Sequence, residues 1–482
     1  MNIFSEPFTP VFLDRLEELL PKYLTASRWY RAKARSIQHV SVHDVVALRE
    51  EFFLVVVDVE YLEKDSDRYV LPVEVPCLTT SAPEALAIDA LANPHLRDAL
   101  LKAVAANAAF RGAKGRFAAA HANAFQLSAN PLESFVSRAE QSNTSIIYPG
   151  HFIFKLFRKI ELGINPDLEV GGFLSEHGFR NTPAFLGSLE YQDAAGSYTA
   201  GILQQFVPNH GDAWKYTMDE LAAFFKRAEL SPDSPHLLDG YLASARLLGI
   251  RTAEMHTALA GKDIGDFAPE PFTAADAGQL REEITAQARS VFELLRLKLS
   301  SLDEPTAGLA FQVLALEPQI FDRLAKLNDA PANGPVRIRI HGDYHLGQVL
   351  FTGDDFMIID FEGEPARPLA ERRAKALAMR DVAGMLRSFD YAAYAAPETH
   401  GKNQTWAAFW LIQVTAAYLE AYFEMATGYP YISADPATNK FLLDVFLLQK
   451  ALYEVAYELN NRPDWVYIPL RGILSLFSRS SN

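Results

Sequence analysis

The chain has a single cysteine among 482 residues, Cys77, so no internal disulfide can form. Its flanks, Val75-Pro76 and Leu78, mark it as a small buried hydrophobe without a catalytic part. Net positive charge is also missing: 45 Lys and Arg stand against 60 Asp and Glu, a formal balance of −15. That excludes general nucleic-acid binding, which draws on a cationic field to release counterions. Long apolar runs are absent too. The longest, such as Phe52 to Val57, are of strand length, and the N-terminus carries Glu6, Asp14, Glu17 and Glu18 in place of a basic leader. No signal peptide or membrane span is expected, and the expected location is cytoplasmic. Arg111-Gly112-Ala113-Lys114-Gly115-Arg116-Phe117 has the glycines and lysine of a phosphate loop but lacks the GxxxxGK[ST] spacing.

What is present is core. The chain is 49% apolar with a mean hydropathy of −0.02, and its length calls for two or three domains or lobes. Pro10 to Tyr23 reads as a helix that ends at or shortly after Pro21. The basic and aromatic run Arg28 to Arg35 reads as a solvated face or a contact with an acidic second lobe. Val40 to Ala47, Glu51 to Tyr61 and Tyr69 to Val75 read as strands, and Pro83 to Ala106 as helix. Residues 1–90 thus read as a small α/β module attached to a second segment, 91–206.

In that second segment, Glu140-Gln141-Ser142-Asn143-Thr144-Ser145 reads as a hydroxyl- and amide-rich turn able to cover phosphates with backbone N–H groups. Lys155, between Phe154 and Leu156 in an apolar strand, is costly to bury unless paired. Its expected partner is Glu169, on a helix capped by Asn165 with Pro166 at its first position. Such a Lys–Glu pair orients nucleotide phosphates in kinases. The strand Thr199 to Phe206 then runs into Val207-Pro208-Asn209-His210-Gly211-Asp212. In a two-lobed kinase this is the hinge, with Gln205, Phe206 and Val207 as adenine contacts. Residues 207–482 turn mainly helical, with helices over Asp219–Arg227, Gly240–Leu259, Ala274–Leu299 and Glu317–Leu327, then Arg380–Tyr391, Trp406–Thr427 and Lys440–Asn460.

Val336 to Ile340 reads as a strand entering His341-Gly342-Asp343-Tyr344-His345-Leu346-Gly347-Gln348. Val349-Leu350-Phe351, the turn Thr352 to Asp355, and Phe356 to Ile359 then make a hairpin, followed by Asp360-Phe361-Glu362-Gly363. A turn centred near 354 sets Leu350 opposite Ile358 and Gln348 opposite Asp360. Asp343, Gln348 and Asp360 converge at one end, where oxygen ligands suit Mg²⁺ and an Asp can take a proton from an alcohol. In protein kinases a base Asp precedes a metal-binding Asn by five residues, and a second metal Asp opens the next element. Here Gln348 stands five after Asp343. The arginine-dense stretch Glu364 to Lys375 reads either as a group that neutralises phosphate or holds sugar hydroxyls, or as a solvated turn. Asp381 is expected to hold the catalytic loop from below. The tail Asn460 to Leu470, polar and aromatic together, reads as core or as part of a sugar pocket.

On these residues the chain resembles the bacterial maltokinases, including those fused to trehalose synthases, within the aminoglycoside phosphotransferase and protein-kinase-like group. The resemblance rests on Glu140 to Ser145, Lys155-Leu156-Phe157-Arg158 with Asn165 to Glu169, the hinge through Asp212, His341 to Gln348, and Asp360 to Asp390. The closing Tyr457 to Trp465 belongs with them. It implies an α+β, bilobal, protein-kinase-like fold with an extra N-terminal cap, and ATP- and Mg²⁺-dependent phosphorylation of maltose at its anomeric hydroxyl. In that reading Asp343 is the base, Gln348 and Asp360 hold Mg²⁺, and Lys155, Glu169 and Ser142 to Ser145 hold ATP. His341, Glu362, Arg372, Tyr457 and Asn461 are the candidate sugar contacts, and association with a trehalose synthase is possible. Trp29-Tyr30-Arg31-Ala32-Lys33-Ala34 departs from the family's glycine-rich Trp-Phe-Gly-Gly-Lys type of segment. Two other readings stay open: a kinase of glucosamine or an aminoglycoside, and a non-catalytic partner of a glucan enzyme.

Overall fold

A computed structural model describes residues 10–49, 51–75, 87–123, 125–127, 132–137, 142–231, 237–261, 265–329, 334–396 and 403–478. Cys77, Glu140, Gln141 and residues 83–86 of the expected helix lie outside them. The chain divides into two compact units, Met1–Glu176 with Pro183–Pro208, and His177–Thr182 with Asn209–Asn482. Among the described residues no helix is long and apolar enough to cross a membrane.

The first unit opens with α1 (Pro10–Ala26), β1 (Ile37–Ala47), β2 (Phe52–Tyr61), β3 (Ser66–Glu74) and β4 (Ala87–Ile88). It continues through α2 (Pro94–Ala105), β5 (Ala109–Arg111), β6 (Arg116–His121), β7 (Phe135–Val136), β8 (Asn143–Tyr148), β9 (Phe152–Phe157) and β10 (Lys159–Ile160). It closes with α3 (Pro166–Glu176), β11 (Phe185–Asp193) and β12 (Gly196–Gln205). One antiparallel sheet runs β1-β2-β3-β10 with β4 beside β3, and the other runs β5-β6-β11-β12-β9-β8-β7. The apolar run of β2 follows from burial on both faces. Phe53, Val55, Val57 and Val59 pack with Leu16, Leu20 and Leu24 of α1, while Phe52, Leu54 and Val56 join the core of the second sheet.

Several expectations need correction here. α1 continues through Pro21 to Ala26. Trp29 and Tyr30 of the basic segment are buried against β2 and β3, and Arg35 pairs with Asp65. The second helix starts only at Pro94, where the Asn93 side chain accepts the His95 N–H at 2.9 Å. The Gly112 to Gly115 loop does wrap an anion with its backbone, but the anion is internal. Asp44 accepts the N–H groups of Ala113 and Gly115 at 2.9 and 2.8 Å and the Tyr191 hydroxyl at 2.9 Å.

The second unit comprises α4 (Ala213–Leu230), α5 (Asp239–Leu259), α6 (Ala274–Lys298), α7 (Glu304–Ala315) and α8 (Glu317–Ala325), then the hairpin β13 (Val349–Phe351) and β14 (Phe356–Ile358). Five more helices follow: α9 (Leu369–Arg372), α10 (Met379–Ala395), α11 (Gln404–Ala426), α12 (Pro436–Asn461) and α13 (Tyr467–Ser478). α7 and α13 were not expected from the sequence. Val336 to Ile340 is no strand: it makes single bridges, Arg337 to Glu270 and Ile338 to Ala376.

The hairpin is held on both edges. Ile358 N–H donates to the Asn181 carbonyl at 2.8 Å, and Asn181 Nδ2 donates to the Phe356 carbonyl at 2.9 Å. On the other edge His210 N–H donates to Phe351 and Phe351 N–H to Gly211, at 2.8 and 3.0 Å. The Tyr216 ring stacks on Phe351 with centroids 3.9 Å apart. A short hairpin is marginal alone, and pairing both edges fixes it in place.

Candidate active site

The hairpin register is one residue off the expectation. Val349 faces Ile358 and Leu350 faces Met357, because Thr352 N–H bonds to the Asp355 carbonyl at 2.9 Å and centres the turn between Gly353 and Asp354. Gln348 therefore stands opposite Ile359, whose N–H donates to the Gln348 carbonyl at 3.0 Å. Two of the three expected residues still meet, since the Gln348 side-chain amide reaches Asp360 Oδ2 at 2.8 Å. Asp360 has φ +67°, a left-handed conformation that costs a non-glycine residue about 1 to 2 kcal/mol. Carboxylate oxygens of Asp360 and Glu362 lie within 4.8 Å of one another. Two hard carboxylates and an amide at one strained turn are a donor set that fits Mg²⁺. Glu362, expected at the sugar, lies with the metal-type ligands.

The loop before the hairpin is built on one face of α10. Asp381 accepts the His341 N–H at 2.7 Å and the Gly342 N–H at 2.9 Å. His256 Nε2 donates to the same carboxylate at 3.2 Å. Burial opposes ionisation of Asp381, yet these bonds and the imidazoles around it hold its carboxyl below the usual range. One turn on, Gly384 lies under the Tyr344 carbonyl, and a Cβ there would come within 2.5 Å of that oxygen. One turn further, the Ser388 hydroxyl accepts the Leu346 N–H at 3.1 Å. His341 is buried and its Nε2 faces the Ile359 carbonyl at 2.9 Å, so Nε2 carries the proton and joins the loop to β14. That geometry gives His341 a positioning part in place of the expected sugar contact.

Asp343 opens onto a recess within the second unit. Lys450 of α12 donates to Glu364 at 2.9 Å and stands 3.4 Å from Asp343 Oδ1. Arg367 and Arg380 also reach Glu364, at 2.8 and 3.2 Å. Burial works against the charge of Glu364, but Lys450 and the two arginines outweigh it and bring its pKa from 4.5 to about 2. Burial likewise works against the Lys450 ammonium, and Asp343 and Glu364 raise its pKa above the usual lysine range. Gln449 Nε2 donates toward Glu283 at 3.4 Å and Gln287 Nε2 to the Gln449 carbonyl at 3.3 Å, leaving both amide oxygens to act as acceptors. The Tyr453 ring completes the wall, with the Lys450 ammonium 5.1 Å from its centroid.

In the first unit, buried Lys155 makes an ion pair with Asp167 at 3.1 Å, a partner two residues before the expected Glu169. The Asn165 side chain accepts the Asp167 N–H at 2.8 Å, which sets Asp167 in the first turn of α3. Asn143, Thr144 and Ser145 are buried strand residues of β8, not a turn: Ser145 faces Lys155, and Thr144 Oγ1 accepts from Arg158 at 2.8 Å. Only Ser142 precedes that strand. At the hinge, Gln205 N–H donates to Ala184 and Phe206 N–H to His151, at 2.9 and 3.0 Å. Neither N–H is open to an adenine.

Of the remaining expected sugar contacts, Arg372 braces the loop by donating to the carbonyls of Arg367 and Glu362, at 3.1 and 3.2 Å. Tyr457 is 44% exposed and stacks on Tyr453, a turn beyond the recess. Asn461 donates to the Tyr457 carbonyl at 2.8 Å, a bond within α12. The sequence reading missed Lys450, Arg380 and Tyr453, whereas Glu364 and Arg367 lie in the arginine-dense stretch it had singled out. The signal for Lys450 was its setting: Lys450, Glu454 and Glu458 recur at four-residue spacing on a helix otherwise rich in apolar residues, and both glutamates are buried.

No family model matches the chain. A glucosamine kinase of Streptacidiphilus jiangxiensis is 29% identical over 303 residues, 61% of this chain and 62% of that protein. The match thus spans less than two thirds of that relative. A glucosamine kinase of Mycolicibacterium smegmatis is 28% identical over 346 residues, 71% of this chain and 79% of its own. Among solved structures, one crystal form of a glucosamine kinase superposes with a TM-score of 0.70 at 20% identity, over 95% of this chain and 99% of that one. The chain has the glucosamine-kinase fold. A second similar structure, at 21% identity and a TM-score of 0.67 over 95% and 98%, is a glucosamine kinase in complex with glucosamine, ADP and inorganic phosphate. These neighbours agree with the expected kinase-like α+β class. The relatives are named for glucosamine, so they agree with the wider kinase-like group and not with the maltokinases in particular.

Proposed function

We propose that the chain is an ATP-dependent sugar kinase whose acceptor is glucosamine. The observation that carries the reading is the recess at Asp343, a carboxylate beside a pocket of amides, aromatic rings and fixed charges. Asp343 accepts the proton of the acceptor hydroxyl as that oxygen bonds to the γ-phosphorus and the bond to ADP breaks. The loop N–H groups on Asp381 and the buried Tyr344 hold Asp343 still while this happens. In the first unit Lys155, backed by Asp167 and with Glu169 on the same helix, binds phosphate oxygens of ATP. Ser142 and the β8 residues lie along that nucleotide, and Val207 is the hinge contact. Gln348, Asp360 and Glu362 are the residues that hold Mg²⁺, which when bound neutralises charge on the transferring phosphate. The ammonium of glucosamine finds neutral acceptors in the amide oxygens of Gln287 and Gln449.

A second reading, maltose as acceptor, is favoured by one observation. Lys450 already sets an ammonium between Asp343 and Glu364, as suits a neutral sugar. Comparing kcat/KM for glucosamine, N-acetylglucosamine, glucose and maltose separates them. We expect glucosamine to lead; a lead for maltose gives the second reading, and no transfer to any sugar contradicts both.

A further inference from the structure

Each carboxylate that lines the recess among the described residues, Asp343, Glu364 and Asp381, already has a basic partner. Asp381 is held by His256 at 3.2 Å. Glu364 has Lys450, Arg367 and Arg380 at 2.9, 2.8 and 3.2 Å. Asp343 has Lys450 at 3.4 Å. Only Lys450 serves two of them. Arg367 is anchored elsewhere, to Glu283 at 3.2 Å and Glu371 at 3.2 Å, so its charge belongs to the rim as much as to the recess.

We infer that Lys450 is a specificity residue that excludes polycationic acceptors, its ammonium filling the place between Asp343 and Glu364 that a substrate ammonium would take. The inference rests on the sugar-kinase reading above and adds to it a limit on acceptor charge. Acceptors that carry several ammonium groups need several carboxylates with no internal cation. Here the one pair near the transferring centre is bridged by the chain's own lysine. An acceptor with a single amine is served by the neutral oxygens of Gln287 and Gln449, so it escapes the exclusion. Like charges brought together in a desolvated pocket are strongly disfavoured, which is how a fixed cation rejects a class of ligand. The Lys450 side chain is also placed firmly. Its helix continues one turn on to Glu454, which Arg387 holds at 2.6 Å in a buried pair.

The test compares kanamycin with glucosamine on the full chain, as binding by calorimetry and as kcat/KM, for the parent, Lys450→Met, Lys450→Gln and Lys450→Arg. The parent should bind glucosamine and leave kanamycin unbound at concentrations that saturate the sugar. Lys450→Met and Lys450→Gln should each gain kanamycin affinity by on the order of tenfold or more, while Lys450→Arg keeps the discrimination because it keeps the charge. Parent protein that binds kanamycin as well as glucosamine overturns the inference, whether or not the variants fold. So does an unchanged kanamycin affinity in either neutral variant, or a gain in Lys450→Arg as large as theirs. The binding arm decides without turnover. A parent that transfers phosphate to no sugar refutes the kinase reading and leaves the role of Lys450 to be judged on binding alone.

Discussion

Glu364 carries three cations on one carboxylate, and its folded pKa of about 2 lies below the ordinary 4.5. A depressed carboxylate contributes stability that is present above its unfolded pKa and is lost as pH falls through the folded one. Glu364 should thus contribute on the order of 3 kcal/mol at neutral pH. That contribution should fade between pH 4.5 and about 2. Glu364→Gln should lower Tm at pH 7, and the gap to the parent should close across that acid window in a melting series. Asp343→Asn keeps the shape and removes the proton acceptor, so kcat should fall by about 10² to 10⁴, with acceptor binding by calorimetry retained. Asp360→Asn should weaken Mg²⁺, measured as a higher Mg²⁺ concentration for half-maximal rate, with little change in Tm. At this scale the contact of Gln348 with Asp360 was readable because both lie within one short stretch. Lys450 was not, because it meets Asp343 from 107 positions away and sits among aromatics that read as core. Lys155 pairs with Asp167, two residues before Glu169, the partner expected: both acids fall in the first turn of α3, and sequence alone does not give the Asp167 contact.

At the level of elements, the loop that presents Asp343 is fixed by the face of α10 that carries Asp381, Gly384 and Ser388. Gly384 is needed for the approach of the Tyr344 carbonyl, so Gly384→Ala must push helix and loop apart. Overpacking of this kind costs about 1 to 3 kcal/mol. The variant should melt earlier and lose kcat more than it loses acceptor affinity, as judged by thermal unfolding and steady-state rates. Equal activity with a lowered Tm would show that α10 supports the fold without setting the loop. Seven helices of the second unit, α4, α5, α6, α8, α10, α11 and α12, were readable from their apolar periodicity to within a few residues at most ends, and α7, α9 and α13 were not. The hairpin register was not, since it turns on which residues of Thr352-Gly353-Asp354-Asp355 close the turn. The β8 residues misled for a related reason: Asn143, Thr144 and Ser145 look like a turn by composition, and only pairing with β9 makes them strand.

At the scale of the whole molecule, the first unit holds the Lys155–Asp167 ion pair and the second holds the recess at Asp343. The α+β, kinase-like fold class was implied by the resemblance that the motifs carry, and it matches the glucosamine-kinase fold. The acceptor was the least readable feature, because it depends on the charge balance of a recess whose walls come from distant parts of the chain. The most direct test is phosphorus NMR of the chain incubated with ATP, Mg²⁺ and glucosamine beside an equal sample with maltose. The account predicts a sugar-phosphate resonance growing in step with ADP in the glucosamine sample. ADP with inorganic phosphate alone in both samples, or a sugar phosphate only with maltose, would contradict it.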